Sequence, residues 1–284
     1  MAGKLNRWDF LEMKRQGRPC ALIAAYDFPT ATFAERAGMD MILVGDSLGM
    51  VQLGYENTIP VTMEECLIHC RAVRRGAPAT WCIGDMPFMS YQVSAAQAVE
   101  NAGRFLKEAG MDSVKLEGGV RVAGQIEAIR DAGILVMGHV GLTPQSSAAL
   151  GGFKAQGRDA ASARAVIEDA LAVEKAGAFS VIVEGVPREV TNFLAGKLGI
   201  PVYGIGAGLC DGQVQVMGDL LGLFEAFTPK FAKKYADLAK IETRAFQDYI
   251  ADVRARRYPG EEHTYQALKN EKEALEKLFE EYSD

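Results

Sequence analysis

The sequence predicts one α/β domain, a (β/α)8 TIM barrel preceded by an N-terminal helix and followed by a C-terminal helical extension. An Ala-Gly pair, followed by an apolar run and a polar residue, recurs at 37–46, 109–117, 132–139 and 176–184. Each glycine suits the left-handed position that ends a helix before a strand begins. The apolar runs are short and continuous, as in buried parallel strands. Eight strand–helix units need about 250 residues, and the chain has 284.

Each element is expected from its own pattern along the chain. An amphipathic helix over residues 4–17 would cover one end of the barrel, with Trp8 and Leu11 turned inward and Phe10 as a further candidate. Strands are expected at 20–27, 42–46, 80–85, 113–117, 134–139, 179–184 and 201–205, and the eighth at 220–224. Helices are expected at 29–37, 62–75, 94–109, 120–132, 159–176, 187–198, 236–256 and 264–282. The chain, 1–284, is thus predicted as a single barrel domain in which residues 260–284 form a helical tail.

Composition limits the classes of partner. With 49% hydrophobic and 24% charged residues the chain is an ordinary globular protein, and its net charge of −6 supplies no basic surface for nucleic acid or an anionic membrane. No apolar run reaches the roughly 18 residues that cross a bilayer, and the first residues lack the apolar core of a signal peptide. A cytoplasmic protein is therefore expected.

The five cysteines show no CxxC pair, so reduced thiols are expected. Cys66, His69 and Cys70 share one helix face and suggest a metal site. No second cluster completes a tetrahedron, which favours buried or incidental thiols.

Polar residues able to do chemistry follow the predicted strands. The carboxyl ends of parallel barrel strands meet at one end of the fold, so these residues are expected to converge there: Asp27, Asp46, Asp85, Lys115, Glu117, His139 and Glu184. Carboxylates at short range raise one another's pKa unless a cation or a proton compensates them. Oxygen ligands are what Mg²⁺ prefers, and it usually keeps open positions. The sequence therefore predicts a Mg²⁺ site that accepts a chelating substrate.

Three of these features have a plain structural alternative. Asp27 precedes Pro29 by two residues and suits a turn, so it is the carboxylate most expected to be structural. His139 would either join the site or bond to the backbone. The GIGAG turn at 204–208 is either a phosphate-binding loop or a close-packed turn.

Long motifs of the chain, from AAYDFPTA and ILVGDSLGMVQLGY to GIGAG and DGQV, resemble those of the ketopantoate hydroxymethyltransferase family. The resemblance runs from about Cys20 to Pro259, and it rests on many segments in the family's order. These are AAYDFPTA, ILVGDSLGMVQLGY, PVTMEE, HCRAVRRGAP, DMPFMSYQ, VKLEGG, MGHVGLTPQS, LGGFKAQGR, GIGAG and DGQV.

The resemblance implies a fold and a reaction. The fold would be a (β/α)8 barrel related to phosphoenolpyruvate mutase and isocitrate lyase. The reaction would transfer a hydroxymethyl group from 5,10-methylenetetrahydrofolate to the 2-keto acid α-ketoisovalerate, giving ketopantoate for pantothenate biosynthesis. The family also implies a Mg²⁺-dependent homo-oligomer, commonly a decamer.

By motif, the resemblance implies how the metal and the keto acid are bound. Asp46 and Asp85 would bind Mg²⁺ and, through it, the substrate, and Glu117 would orient a water on the metal. Ser47 would hold the carboxylate of the keto acid, and His139 would contact its oxygens.

Two further residues would carry the chemistry. Glu184 would be the base that takes the C3 proton, and Lys115 would contact the substrate oxygens where negative charge develops. The chain departs from the family at Gly185, where cysteine is common, and at Gly218, where histidine is frequent. These departures leave room for a changed pocket and a different keto acid.

Two other functions are alternatives to this one. A carbon–carbon lyase or phosphonate-forming mutase would keep the fold and the metal, but the cysteine-containing KKCGH-type loop of the lyases is missing from the sequence. A non-catalytic paralogue that binds a keto acid or folate would not need Glu184 as a base.

Overall fold

The computed structural model describes residues 3–283, and it confirms the predicted (β/α)8 barrel. Eight parallel strands close in chain order, with the first strand paired to the eighth. The strands are β1 Cys20–Ala24, β2 Met41–Val44, β3 Trp81–Asp85, β4 Ser113–Glu117, β5 Val136–Gly141, β6 Ser180–Glu184, β7 Val202–Ile205 and β8 Gly212–Val216.

Helices alternate with the strands along the chain and continue after the last strand. They are α1 Arg7–Arg15, α2 Phe28–Ala37, α3 Leu48–Val51, α4 Met63–Gly76, α5 Ala95–Ala109, α6 Ala123–Asp131, α7 Ala160–Lys175, α8 Arg188–Lys197, α9 Met217–Leu221, α10 Leu238–Arg254 and α11 Lys272–Glu281. Most bounds lie within a few residues of those predicted. The last helix begins at Lys272, later than the predicted start at residue 264.

The chain divides into two compact units, Met1–Ala236 and Asp237–Asp284. The first contains the whole barrel, and the second contains α10 and α11. Residues 260–284, predicted as a helical tail, belong to the second unit. Within residues 3–283 no helix combines the length and the apolar character that crossing a membrane requires.

Helix α1 covers the N-terminal end of the barrel, as predicted, but its buried side chains match the predicted set only in part. Phe10 and Met13 are buried with the residues inside the barrel. The ring of Phe10 meets the ring of Trp81, at the start of β3, edge to face with 5.6 Å between centroids. Trp8 was predicted to point inward, and this was wrong because it is 61% exposed. Leu11 is half-buried.

The eighth strand is the main error of the sequence-based prediction. The sequence predicts β8 at residues 220–224, but Leu220 lies in the short helix α9. The true strand, Gly212–Val216, alternates glutamine with small or branched residues and pairs with β1 from Cys20↔Gly212 to Ala24↔Val216. The polar residues of β8 made the strand hard to recognise from the sequence, because a strand inside a barrel is expected to be apolar on both faces.

Asp27 is a structural residue, as the sequence favoured. It is the N-cap of α2, where its carboxylate accepts hydrogen bonds from the backbone N–H and the hydroxyl of Thr30, at 2.8 and 2.9 Å. A side-chain oxygen at this position satisfies a backbone donor that the helix leaves unpaired.

We expect Asp27→Ala to lower the free energy of unfolding by about 1 kcal/mol, because the capping bonds to Thr30 are lost. Urea unfolding followed by circular dichroism measures this change. The matched control is Glu168→Ala on the exposed surface of α7, for which a change within about 0.5 kcal/mol is expected. Loss of divalent-metal binding in Asp27→Ala would contradict the structural role.

Candidate active site

The predicted functional residues meet at the C-terminal end of the barrel. Asp85, Glu117 and Glu184 are the last residues of β3, β4 and β6, His139 lies in β5, and Asp46 follows β2 by two residues. All five line one cavity of about 990 Å³. Of the residues expected to converge here, these five and Lys115 line the cavity, whereas Asp27 is not among the lining residues.

Strand register explains why these side chains touch. Lys115 is the direct neighbour of Asp85 across β3 and β4, and Glu117 is the neighbour of His139 across β4 and β5. Alternate residues of a strand point to opposite faces. Leu116 accordingly packs among the residues between sheet and helices, while Lys115 and Glu117 point into the barrel, as predicted.

Lys115 is the centre of the contacts. Its Nζ lies 3.0 Å from Asp85 Oδ1, 3.4 Å from Glu117 Oε1 and 3.2 Å from His139 Nδ1. The lysine side chain is only 3% exposed, and those of Asp85 and Glu117 are 1% exposed. A buried charge without a partner would be strongly unfavourable, so the ammonium group and the carboxylates depend on one another.

The electrostatic surroundings keep Lys115 charged. Burial lowers its pKa, but the carboxylates of Asp85 and Glu117 outweigh burial and raise it. Burial also acts to raise the pKa of Glu117, yet Lys115 and His139 bring it below its ordinary value. The Lys115–Glu117 pair is therefore ionised.

Asp46 and Asp85 lack enough positive charge around them. The pKa of Asp46 is raised, first by burial and then by the charges of Asp85 and Glu117. Burial also raises the pKa of Asp85. The two residues adjoin each other, because the N–H of Asp46 donates to Asp85 Oδ2 at 2.8 Å. A further cation beside them would relieve this repulsion.

The donor atoms of this pair fit a Mg²⁺ ion. Asp85 Oδ1 is a buried oxygen that, beyond its ion pair with the Lys115 ammonium at 3.0 Å, accepts no hydrogen bond from the described residues. Within residues 3–283 there is no group of three or more His, Cys, Asp or Glu side chains arranged to hold a metal. Mg²⁺ is commonly bound by one or two carboxylates, with waters and substrate oxygens completing its octahedron. The pair Asp46 and Asp85 meets that requirement.

His139 joins the two sides of the site rather than bonding only to the backbone. Its Nδ1 is 3.5 Å from Glu117 Oε1, and its Nε2 is 3.2 Å from Glu184 Oε2. Burial and the Lys115 ammonium lower the pKa of the imidazole, but the Glu117 and Glu184 carboxylates prevail and raise it to about 9. His139 Nε2 therefore faces the Glu184 carboxylate, while Nδ1 faces Lys115 and Glu117.

Ser47 lines the same cavity. Its Oγ is 2.8 Å from the hydroxyl of Tyr26. Tyr26 is fully buried, so the serine hydroxyl has a fixed partner behind it and remains at the cavity wall beside Asp46.

Sequence reasoning missed Gln145 and Tyr91. Gln145 lies in the short 3₁₀ turn Pro144–Ser146 after β5, and its amide Nε2 donates to Asp46 Oδ2 at 2.9 Å. The hydroxyl of Tyr91 is 2.8 Å from Gln145 Oε1. Both residues lie in loops expected at the active end of the barrel, but no spacing rule singles out one amide or hydroxyl within such a loop.

The alternative metal site on α4 does not form. Cys66 and Cys70 are fully buried, and His69 Nδ1 lies 2.6 Å from the carbonyl oxygen of Tyr26. All five cysteines carry free thiols, as predicted, and four of them are buried.

Glycines shape the wall of the cavity. A Cβ on Gly206 or Gly208 would lie 2.7 Å from Phe231 or 2.5 Å from Arg188, so the GIGAG segment is a close-packed turn. A Cβ on Gly218 would lie 2.7 Å from Val51. The space beside Gly218, where the resembled family often has a histidine, is therefore already filled. Gly185 lies in the cavity wall with φ at +58°, a conformation that favours glycine.

The fold and the site define a class of protein: a (β/α)8-barrel enzyme with a carboxylate and lysine cluster at the C-terminal ends of its strands, where barrel enzymes have their active sites. The 2,3-dimethylmalate lyase, described as a PEP mutase/isocitrate lyase superfamily member, shares this fold with a TM-score of 0.57 and 13% identity, over 100% of this chain and 99% of that chain.

Sequence comparison identifies the family. A family model described as ketopantoate hydroxymethyltransferase matches residues 4–261. The 3-methyl-2-oxobutanoate hydroxymethyltransferase of Alkaliphilus metalliredigens is 63% identical over 282 residues, 99% of this chain and 100% of that protein. The protein of the same name from Heliobacterium modesticaldum is 50% identical, over 93% of this chain and 96% of that protein. The chain belongs to the ketopantoate hydroxymethyltransferase family, a family of transferases.

We expect Lys115→Met to lower the free energy of unfolding by about 3–5 kcal/mol, because it leaves the buried carboxylates of Asp85 and Glu117 without their cation. Urea unfolding in the presence of a chelator measures the loss. Lys107→Met, at an exposed position of α5, is the matched control. A loss below about 1 kcal/mol for Lys115→Met would mean that this ion-pair cluster is not what stabilises the strand ends.

Proposed function

We propose that this protein transfers a hydroxymethyl group from 5,10-methylenetetrahydrofolate to 3-methyl-2-oxobutanoate, giving ketopantoate for pantothenate biosynthesis. Family membership supports the proposal. The single structural observation that carries it is that the Glu184 carboxylate and the Lys115 ammonium line the same cavity as the carboxylate pair Asp46 and Asp85. A base, a cation and a candidate metal site in one cavity suit the removal of a proton next to a keto group.

Asp46 and Asp85 would hold the Mg²⁺ ion, with Glu117 orienting a water on it. When bound, the ion would act as a Lewis acid on the 2-oxo group of the keto acid. Ser47 would hold the carboxylate of that substrate, because its hydroxyl lines the cavity beside Asp46.

Glu184 is the carboxylate best placed to act as the base. Its side chain is 15% exposed, whereas those of Asp85 and Glu117 are 1% exposed. A base must come within hydrogen-bond reach of the proton that it removes. Glu184 would therefore take the C3 proton, and His139, 3.2 Å from its carboxylate, would hold its orientation.

Lys115 places its positive charge where the substrate oxygen becomes negative. The charge is held in position before the reaction by Asp85 and Glu117. Preorganised charges in a water-poor site stabilise a transition state without reorganising. The carbon that has lost its proton would then form the new bond to the one-carbon unit of the folate. The two bonds from that unit to the folate nitrogens would break, water would supply the hydroxyl oxygen, and tetrahydrofolate would leave.

Proton NMR in D₂O tests the proposed reaction. With protein and Mg²⁺, the C3 proton signal of 3-methyl-2-oxobutanoate is expected to disappear, and removal of Mg²⁺ with a chelator is expected to stop the exchange. Addition of 5,10-methylenetetrahydrofolate is expected to give ketopantoate. Absence of both exchange and product would overturn the proposal.

We expect Glu184→Gln to reduce the rate of C3 proton exchange by about 10²–10⁴-fold, because the amide cannot accept the proton. Binding of Mn²⁺ should be kept, since Asp46 and Asp85 are unchanged. The same NMR experiment measures the exchange, and Glu168→Gln on α7 serves as the matched control. Exchange at the wild-type rate would assign the base to another residue.

The assembly and the compartment are also proposed from the family. We infer that the protein forms a homo-oligomer, which by resemblance to the family is a decamer. Native mass spectrometry would give the number of subunits. A cytoplasmic location suits the five free thiols, because that compartment keeps cysteines reduced.

A further inference from the structure

Gln145 contacts more members of the site than its place in a loop suggests. The residue is only 5% exposed. Its backbone N–H donates to Glu117 Oε2 at 3.0 Å, and its side-chain Nε2 donates to Asp46 Oδ2 at 2.9 Å and to the carbonyl oxygen of Met86 at 3.0 Å. One residue from the β5 loop therefore contacts both the carboxylate that follows β2 and the carboxylate at the end of β4.

The surroundings determine which way the Gln145 amide points. Its Nε2 lies between two acceptors, Asp46 and the Met86 carbonyl. Its Oε1 lies 2.8 Å from the Tyr91 hydroxyl and 3.3 Å from Gln92 Nε2, which are donors. A reversed amide would place its oxygen against a carboxylate and a carbonyl, and its NH₂ group against donors. This orientation therefore satisfies every partner.

Tyr91 in turn has a fixed place. Its ring is buried, and its hydroxyl accepts the backbone N–H of Glu117 at 3.2 Å while lying 3.0 Å from the Glu117 carbonyl oxygen. The hydroxyl that orients the Gln145 amide is thus held by the backbone at the end of β4. Through this chain of contacts, the loops after β3 and β5 fix the carboxylate of Asp46.

We propose that Gln145 is a positioning residue that fixes the rotation of the Asp46 carboxylate for a divalent metal, with Tyr91 holding the amide in its donating orientation. This inference rests on the proposed function insofar as Asp46 is taken as a metal ligand. Residues that orient a ligand by hydrogen bonds typically change metal affinity about 10–100-fold when replaced.

The side chain of Gln145 can be tested separately from its backbone. Gln145→Leu removes the bonds to Asp46 and Met86 but keeps the backbone N–H that donates to Glu117. Gln97→Leu is the matched control, because Gln97 also donates its amide to one loop carbonyl, that of Met89 at 3.1 Å.

The experiment is a Mn²⁺ titration of the full chain, with free Mn²⁺ followed by electron paramagnetic resonance. We expect Gln145→Leu to raise the Kd for Mn²⁺ by about 10–100-fold and Gln97→Leu to leave it unchanged. Tyr91→Phe should raise it by a smaller factor, because the amide stays but loses the group that orients it. If Gln145→Leu does not fold, Gln145→Met provides the same loss of donor with an unbranched side chain.

The outcomes separate this inference from the proposed reaction. Wild-type Kd in both folded Gln145 and Tyr91 variants would overturn the positioning role, whatever the NMR assay shows. Weaker Mn²⁺ binding in the variants would support the role even if 3-methyl-2-oxobutanoate proved not to be the substrate. A wild-type protein that bound no Mn²⁺ would overturn both the metal assignment and the role of Gln145.

Discussion

The ammonium group of Lys115 allows the end of the barrel to hold several buried carboxylates. It contacts Asp85 and Glu117 directly, and it lowers the pKa that burial alone would give them and Asp46. Lys115 does not offset burial and the mutual repulsion of the carboxylates, so the pKa of Asp46 and Asp85 remains raised. That remaining imbalance is what makes this end of the fold a candidate site for a divalent metal.

Barrel closure brings these groups together. Register places Lys115 beside Asp85 and Glu117 beside His139 across neighbouring strands. Close packing keeps the register, because the faces away from the cavity leave no spare volume: a Cβ on Gly84 would lie 2.3 Å from Phe105, and one on Gly138 would lie 2.3 Å from Val173. The outer helices therefore hold the strands that present the site.

The residues around the cavity differ in their access to a substrate. Asp85 and Glu117 are almost completely covered, while Glu184 reaches the cavity more freely. This difference divides the carboxylates into those that hold charge in place and one that can exchange a proton with a bound molecule. Gln145 and Tyr91 add a rigid polar layer behind Asp46, so the arrangement does not depend on the ionic contacts alone.

The sequence by itself determined the barrel, the family and the meeting of the site residues at one end of the fold. Strand periodicity is a local property of the sequence, and parallel strands all have their carboxyl ends at the same end of the barrel. The residues that meet there are Asp46, Asp85, Lys115, Glu117, His139 and Glu184. The tertiary structure alone decided β8, whose Gln-rich pattern becomes a strand only by pairing with β1. Only the tertiary structure shows that Trp8 is exposed to solvent and that Gln145 contacts Asp46, 99 residues away along the chain. Such contacts depend on how loops fold over the barrel, and no local pattern encodes that.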